Sequence, residues 1–299
     1  MPKNAALKID SLSQDQAYFW VDGCYGVGEA SDVPVLTHAL HYGFAVFEGI
    51  RGYGGSSFAL KDHLDRLILS AARLGISSPY SALELIDVVE ALEEQAQLNQ
   101  FYVRPLIWTG GKAMGISASK SDVHVAIVLW NWQDHFADIQ KKGGLRLMIS
   151  PYVRLTNQMA PLQAKSSFLY GPNVMSKTVA EKEGFDDALS LDDRGRIMEG
   201  TGANIFFVKG DCLVTPVPDY FLNGITRQTI IEIALKKGLR VFEQDLFLSD
   251  LPQMDEAFLT GTAYEVTPIQ RIGDVRFERQ TIANQLRDDY LSVVIIDGC

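Results

Sequence analysis

The 299 residues are 47% hydrophobic and 21% charged, with a net charge of −10, the composition of a globular chain that buries a large core without metal or disulfide staples. Acids and bases are interspersed with no basic stretch, which argues against nucleic acid and anionic membranes as partners. The longest apolar runs, HVAIVLW and ALHYGFAVF, fall far short of the ~20 residues that a bilayer span needs. Cys24, Cys212 and Cys299 show no C-x-x-C or Cys/His spacing, and residues 1–15 are polar. A disulfide framework, a zinc site and a secretory signal are therefore unsupported, and a reducing cytoplasm is the expected setting.

In chain order, YFWVDG reads as a strand closing on an Asp-Gly turn, and FAL before Lys61 as a second short strand. KDHLDRLILSAARLG places Leu64, Leu67, Ile68 and Ala71 on one helical face, with Gly75 as a stop signal. Ser81 and Glu84 form the S-x-x-E capping box of a further helix. The strands FYVRPLIWTG and VHVAIVLWNW follow, and Pro105 predicts an edge position or a bulge for the first. These elements predict a small α/β domain over 1–136.

The polar stretch 137–144, ADIQKKGG, reads as an interdomain link. Beyond it, over 145–299, come the short strands LRLMIS, DALSL, IME, IFFVKG, CLVTP and DEAFLTG, with helices at 168–183 and 226–238. That pattern predicts a larger, strand-rich barrel or sandwich. The sequence has no internal repeat, no G-x-G-x-x-G and no Walker loop, so nothing in it supports a nucleotide fold.

Few residues stand out for chemistry. Lys165 lies in APLQAKSSFLYG, where apolar flanks would desolvate its amine, lower its pKa and make it a nucleophile; a solvated surface lysine is the alternative. Gly224-Ile225-Thr226 opens the helical pattern TRQTIIEIALKKG, and a helix N-terminus there suits an anion such as phosphate. It could equally be no more than a cap. Gly261-Thr262-Ala263 is a small hydroxyl-bearing turn after DEAFLTG, and Glu199 ends a strand before two glycines. Arg66 lies off the apolar stripe of its helix, as a solvated arginine would. Phe44, Phe47, Tyr102, Trp130 and Trp132 fit core and pocket alike. The histidines His38, His41, His63, His124 and His135 have no H-E-x-x-H spacing, and no G-x-S-x-G elbow occurs.

Eight segments in order resemble the fold-type IV pyridoxal-phosphate enzymes, and the branched-chain aminotransferases most closely. They are THALHYGFAVFEGIR (37–51), DHLDRL (62–67), YVRP (102–105), MGI (114–116), PLQAKSSFLY (161–170), EGTGANIF (199–206), LNGITRQ (222–228) and GTAYEVTP (261–268). The resemblance implies an α/β (α+β) fold, with a small N-terminal α/β domain and a larger C-terminal pseudo-barrel domain carrying the lysine. It also implies a homodimer or higher homo-oligomer in which a partner loop helps cover the site, and small amino acids and 2-oxo acids as ligands.

It implies roles as well. Lys165 would anchor pyridoxal 5'-phosphate and shuttle a proton, Glu199 would face the pyridine nitrogen, and Tyr170 the phenolic oxygen. Arg66, Gly224, the Ile225 and Thr226 amides and the Thr262 hydroxyl would hold the phosphate. Tyr102 with the Thr262–Ala263 turn resembles a clamp for the substrate α-carboxylate. Tyr42, Phe47, Met114, Ile116 and Trp132 resemble apolar pocket walls, and Arg104 with Tyr42 would meet the distal carboxylate of glutamate. Gly49 and Arg51 belong to the same substrate set. Asn223, Ala203, His135 and the SSF run after the lysine depart from the family pattern and bear on substrate range. The alternative is another activity of this fold type, D-amino-acid or amine transamination or the aminodeoxychorismate lyase reaction; the D-amino-acid aminotransferases and the lyases differ in these segments. The Tyr102/Arg104 pair argues against them, and the intact Lys165, Tyr170 and Glu199 argue against a non-catalytic relative.

Overall fold

A computed structural model describes residues 17–28, 32–111, 115–132 and 143–296. Met114, His135 and most of the predicted link lie outside the described residues. The first sheet comprises β1 (Ala17–Val21), β2 (Cys24–Val27), β3 (Ala45–Phe47), β4 (Ile50–Tyr53), β5 (Ser56–Ser57), β6 (Gln100–Thr109) and β7 (Val123–Asn131), in the order β2-β1-β7-β6-β4-β5 with β3 also on β6. The predicted Asp-Gly turn joins β1 to β2. Asp22 and Gly23 both have positive φ, 46° and 93°, as a two-residue hairpin turn with the right twist requires.

Helices α1 (His38–Tyr42), α2 (Leu60–Arg73) and α3 (Ala82–Ala96) accompany this sheet. The Ser81–Glu84 capping box forms as the sequence indicates. Leu64, Leu67, Leu85, Val89 and Leu92 are fully buried against Ile50, Val103, Ile107, Ile127 and Leu129, each contributing roughly 1.5–3 kcal/mol. Because side chains alternate along a strand, burying Val103 turns Tyr102 and Arg104 to the opposite face.

Two expectations are corrected here. FAL is not a strand: Phe58 packs its ring against Tyr290 (5.9 Å), Ala59 turns through φ 51°, and α2 begins at Leu60. Pro105 is neither at an edge nor in a bulge, since β6 is flanked by β7 on one side and by β3 and β4 on the other. The pairings 47↔106 and 50↔103 share one continuous register, which sets Glu48 opposite Pro105. Glu48 N donates to Pro105 O (2.9 Å), but proline has no N–H to return. The ladder breaks there, and β3 and β4 are separate strands.

The second sheet contains β8 (Leu145–Ile149), β9 (Asp187–Leu189), β10 (Asn204–Lys209), β11 (Cys212–Thr215), β12 (Arg240–Glu243), β13 (Glu256–Gly261), β14 (Glu265–Ile272) and β15 (Val275–Arg276). Its order is β12-β11-β10-β13-β14-β8-β9, with β15 on β14. The β8–β14, β8–β9 and β11–β12 pairs are parallel. Helices α4 (Gly171–Lys182), α5 (Ile225–Lys236) and α6 (Thr281–Ile296) complete it. Ile205 and Phe207 of β10 face a core with Leu145, Leu147 and Leu259. Phe206 and Val208 face Ile230, Ala234, Leu286 and Tyr290 on α5 and α6. IME makes only isolated bridges, Leu191↔Ile197 and Glu199↔Asn204, whereas β12, β14, β15 and α6 have no counterpart among the predicted elements. No described helix is long and apolar enough to cross a membrane.

Candidate active site

The two sheets meet at the lysine loop. Lys165 N donates to Ser70 Oγ of α2 (3.1 Å), and Lys165 O accepts from Phe47 N (3.0 Å). Its backbone is thereby pinned on both sides. Lys165 Nζ donates to Tyr170 Oη at 2.9 Å; a 3-10 turn over Ser167–Tyr170 brings the two together. Burial pushes the Lys165 ammonium towards lower pKa, as the apolar flanks suggest. The negative field of Tyr170, that of Glu48 and the hydrogen bond to Tyr170 outweigh both burial and the repulsion from Arg66, and the amine is held above its ordinary value. This corrects the expectation of a lowered pKa: Glu48, distant in sequence, is invisible to a reading of the lysine's flanks.

Glu199 is buried on the wall of the same cavity. Its Oε1 pairs with Arg154 Nη2 at 2.9 Å, and its Oε2 accepts from Asn204 Nδ2 at 3.0 Å. Burial raises its pKa, and Arg154 and Lys165 offset the rise only in part. Arg154 also donates to Asn173 Oδ1 (2.9 Å). Sequence reasoning missed Arg154, which sits in an irregular loop with no motif around it. It quoted Asn204 within EGTGAN without seeing its role. Asn204 Oδ1 accepts from Gly224 N (3.2 Å), and a Cβ on Gly224 would overlap that oxygen. Glycine is required there by this close approach, and Asn204 ties the Glu199 wall to the start of α5.

Arg66, Gly224, Ile225, Thr226 and Thr262 also line the cavity. Ile225 and Thr226 open α5 and leave backbone N–H groups free of helical partners. Thr260 Oγ1, on the same wall, is buried with no partner. Arg66 is not a solvated surface residue. Its Nε and Nη2 grip both oxygens of Glu48 (2.7 and 2.8 Å). Glu48 is fully buried and also accepts from His63 Nδ1 (2.8 Å). Burial pushes Glu48 up, but Arg66 and His63 overcome it and hold the carboxyl well below the usual carboxylate range. Burial keeps His63 below its ordinary value despite Glu48.

Of the residues assigned to substrate, Phe47, Arg51, Tyr102 and Arg104 lie on strands of the first sheet. Tyr102 stacks on Trp132 (5.4 Å) and tilts on Trp130 (5.1 Å), and a Cβ on Gly49 would overlap the Tyr102 hydroxyl. Phe47 joins this sheet to the lysine, its ring 5.2 Å from Lys165 Nζ and 5.0 Å from the Tyr170 ring. Arg104 lies over Phe47 (5.0 Å) and Tyr102 (5.5 Å); no described carboxylate pairs with it, and its Nε is buried without a partner. Arg51 is committed elsewhere, to Glu265 (3.2 Å) and over Trp132 (4.3 Å). Tyr42 and Ile116 are exposed and off the lysine cavity, and Ala263 follows Thr262 in its turn. Of the departures from the family pattern, Asn223 O meets Arg66 Nη1 (3.5 Å) and Ala203 lines the cavity.

This geometry has known counterparts. The Amino-transferase class IV family matches residues 45–272. A Rickettsia bellii protein named "Probable branched-chain-amino-acid aminotransferase" is 41% identical over 282 residues, covering 93% of this chain and 96% of that protein. The branched-chain aminotransferase of Thermoproteus uzoniensis, solved with norvaline, superposes with a TM-score of 0.88 at 32% identity, covering 94% and 95% of the two chains. The branched-chain amino acid aminotransferase of Thermobaculum terrenum, solved in its PLP holo-form, gives 0.86 at 28%, covering 95% of each chain. With a lysine, a buried glutamate and a helix N-terminus gathered on one cavity and these matches spanning most of its length, the chain belongs to the amino-transferase class IV family, among the branched-chain-amino-acid aminotransferases.

Proposed function

We propose that the chain moves the amino group between the branched-chain L-amino acids leucine, isoleucine and valine and 2-oxoglutarate, using pyridoxal 5'-phosphate held in the Lys165 cavity. The observation that carries the reading is that one cavity gathers Lys165, Tyr170, Glu199, Arg66, Thr262 and the α5 N-terminus. These groups suit a phosphorylated pyridine aldehyde: an amine, an anion for a ring nitrogen, and a cation with free amides for a dianion. The partnerless Thr260 hydroxyl adds a donor. When bound, the cofactor supplies a ring that takes up electrons from the substrate α-carbon.

The chain's own residues do the rest. Lys165 Nζ, oriented by Tyr170 Oη, is the covalent anchor and moves the proton at the α-carbon. Glu199, oriented by Arg154 and Asn204, holds a proton on the ring nitrogen. Arg66, Gly224, Ile225, Thr226 and Thr262 hold the phosphate. Tyr102 and the Thr262–Ala263 turn take the α-carboxylate, while Phe47 and Trp132 wall an apolar pocket. Gly49 leaves room for Tyr102, and Arg51 steadies Trp132. Arg104 meets the distal carboxylate of glutamate, an anion that must not be buried unpaired.

The separate sheets of 17–131 and 145–276 support a division into domains 1–136 and 145–299 joined at 137–144. We place the chain in the cytoplasm as a homodimer or higher homo-oligomer, in which the exposed Tyr42 and Ile116 are covered and complete the pocket. Supplying L-leucine, D-alanine and aminodeoxychorismate in turn to the cofactor-loaded protein tests the reading. Turnover of L-leucine with 2-oxoglutarate supports it, and a preference for either of the others overturns it.

A further inference from the structure

We infer that Glu48 is a positioning residue: it grips Arg66 so that one guanidinium arm faces the cavity, and His63 in turn fixes the Glu48 carboxylate. The inference rests on the reading that this part of the cavity takes the cofactor's phosphate. Two arms of Arg66 are spent on Glu48 in a bidentate pair. Only Nη1 is left, 3.5 Å from Asn223 O at the start of α5. His63 Nδ1 reaches the same Glu48 oxygen as Arg66 Nη2; a carboxylate only accepts, so the ring must carry its proton on Nδ1. Glu48 itself stands at the break between β3 and β4, where the missing N–H of Pro105 interrupts the ladder. The sheet defect therefore places the carboxylate under α2, within reach of both Arg66 and His63.

Two effects of Glu48 on a bound phosphate oppose each other. Its charge cancels that of Arg66 and should weaken attraction for an anion. Its grip stops Arg66 from turning elsewhere, and there is somewhere to turn: Arg66 also borders an open groove lined by Asp62, Asp65 and Glu232. Released from Glu48, the long flexible arginine would pair with those carboxylates and leave the cavity. The grip outweighs the charge, because a mobile arginine beside three exposed acids is lost to the phosphate altogether.

The test measures binding of pyridoxal 5'-phosphate, inorganic phosphate and unphosphorylated pyridoxal to the wild-type chain and to Glu48→Gln and His63→Phe. Losing a charge-assisted bidentate contact should weaken pyridoxal 5'-phosphate and inorganic phosphate about 10- to 100-fold in Glu48→Gln. His63→Phe should weaken them less, and pyridoxal should lose no affinity in either variant, since removing the Glu48 charge favours the neutral Lys165 amine that captures it. Equal or tighter phosphate binding by Glu48→Gln would overturn the inference, as would a matching loss of pyridoxal, which would mark a collapsed site. If Glu48→Gln does not fold, His63→Phe decides, and unchanged phosphate affinity there overturns it. A wild-type protein that binds none of the three would instead overturn the cofactor reading, and this inference with it.

Discussion

The two walls of the site are built on different principles. On the cofactor side every charged group is already engaged: Lys165 with Tyr170, Glu199 with Arg154 and Asn204, and Arg66 with Glu48. On the substrate side, Tyr102, Trp130, Trp132 and Phe47 form an aromatic surface on which Arg104 has no carboxylate partner among the described residues. Buried charges that are paired at rest are held in fixed geometry, as proton transfer needs. A cation left over aromatic rings is available to an incoming anion, as recognition needs. Under the proposed function chemistry falls to the first group and selection to the second, and the two should fail separately.

The largest effect should come from the cofactor wall. Lys165→Ala removes anchor and proton carrier together, so transamination should vanish while cofactor still binds through the phosphate end. Turnover near the wild-type rate would erase the distinction between the walls. Glu199→Gln exchanges an anion for a neutral amide, and losing a charge-assisted hydrogen bond of ~2–3 kcal/mol should slow turnover roughly 30- to 150-fold. The loss should fall equally on leucine and glutamate; a loss of cofactor affinity alone would make Glu199 structural.

The substrate wall should fail selectively. Arg104→Leu leaves glutamate's distal carboxylate unpaired, typically a cost of ~2–5 kcal/mol, so single-turnover rates for glutamate should fall at least tenfold more than those for leucine. Equal losses would mean that Arg104 merely holds the aromatic face together.

The smallest effect of a substitution is a shift along the pH axis. The Lys165 pKa is raised, so the cation is favoured: its contribution to stability is complete below the ordinary lysine range and is lost as pH climbs through the raised value. Only the neutral amine captures an aldehyde, so cofactor capture should quicken roughly tenfold per pH unit between pH 7 and 9. In Tyr170→Phe the negative field and hydrogen bond are gone while burial remains, and the whole profile should move to lower pH. An unmoved profile would show that Tyr170 does not set the lysine's charge.

Local signals carried what local physics decides. The Ser81–Glu84 cap, the Asp22-Gly23 turn and the Leu64/Leu67/Ala71 stripe all formed where their residues place them, because each is settled within a few positions. What the sequence hid depends on distant contact. Pro105 reads as an edge residue until β3 and β4 are seen to part around it. Arg66 reads as solvated until Glu48, distant in sequence, grips two of its three guanidinium nitrogens. Arg154 has no motif at all, and only the fold brings it to Glu199. The strand β14 escapes a sequence reading for a similar reason: it starts at Glu265 with a φ of 51°, where the side chain meets Arg51 and Tyr53 from the first sheet. The candidate site was legible as a set of motifs, whereas the polar partners that orient it were not.

The proposed function stands on a covalent bond between Lys165 and the cofactor. Loading the protein with pyridoxal 5'-phosphate, reducing with borohydride and mapping the modified peptide tests it directly. One pyridoxyl group is expected on the lysine of LQAKSSFLY, and none in Lys165→Ala. A group on another lysine, or equal labelling of the variant, would contradict it.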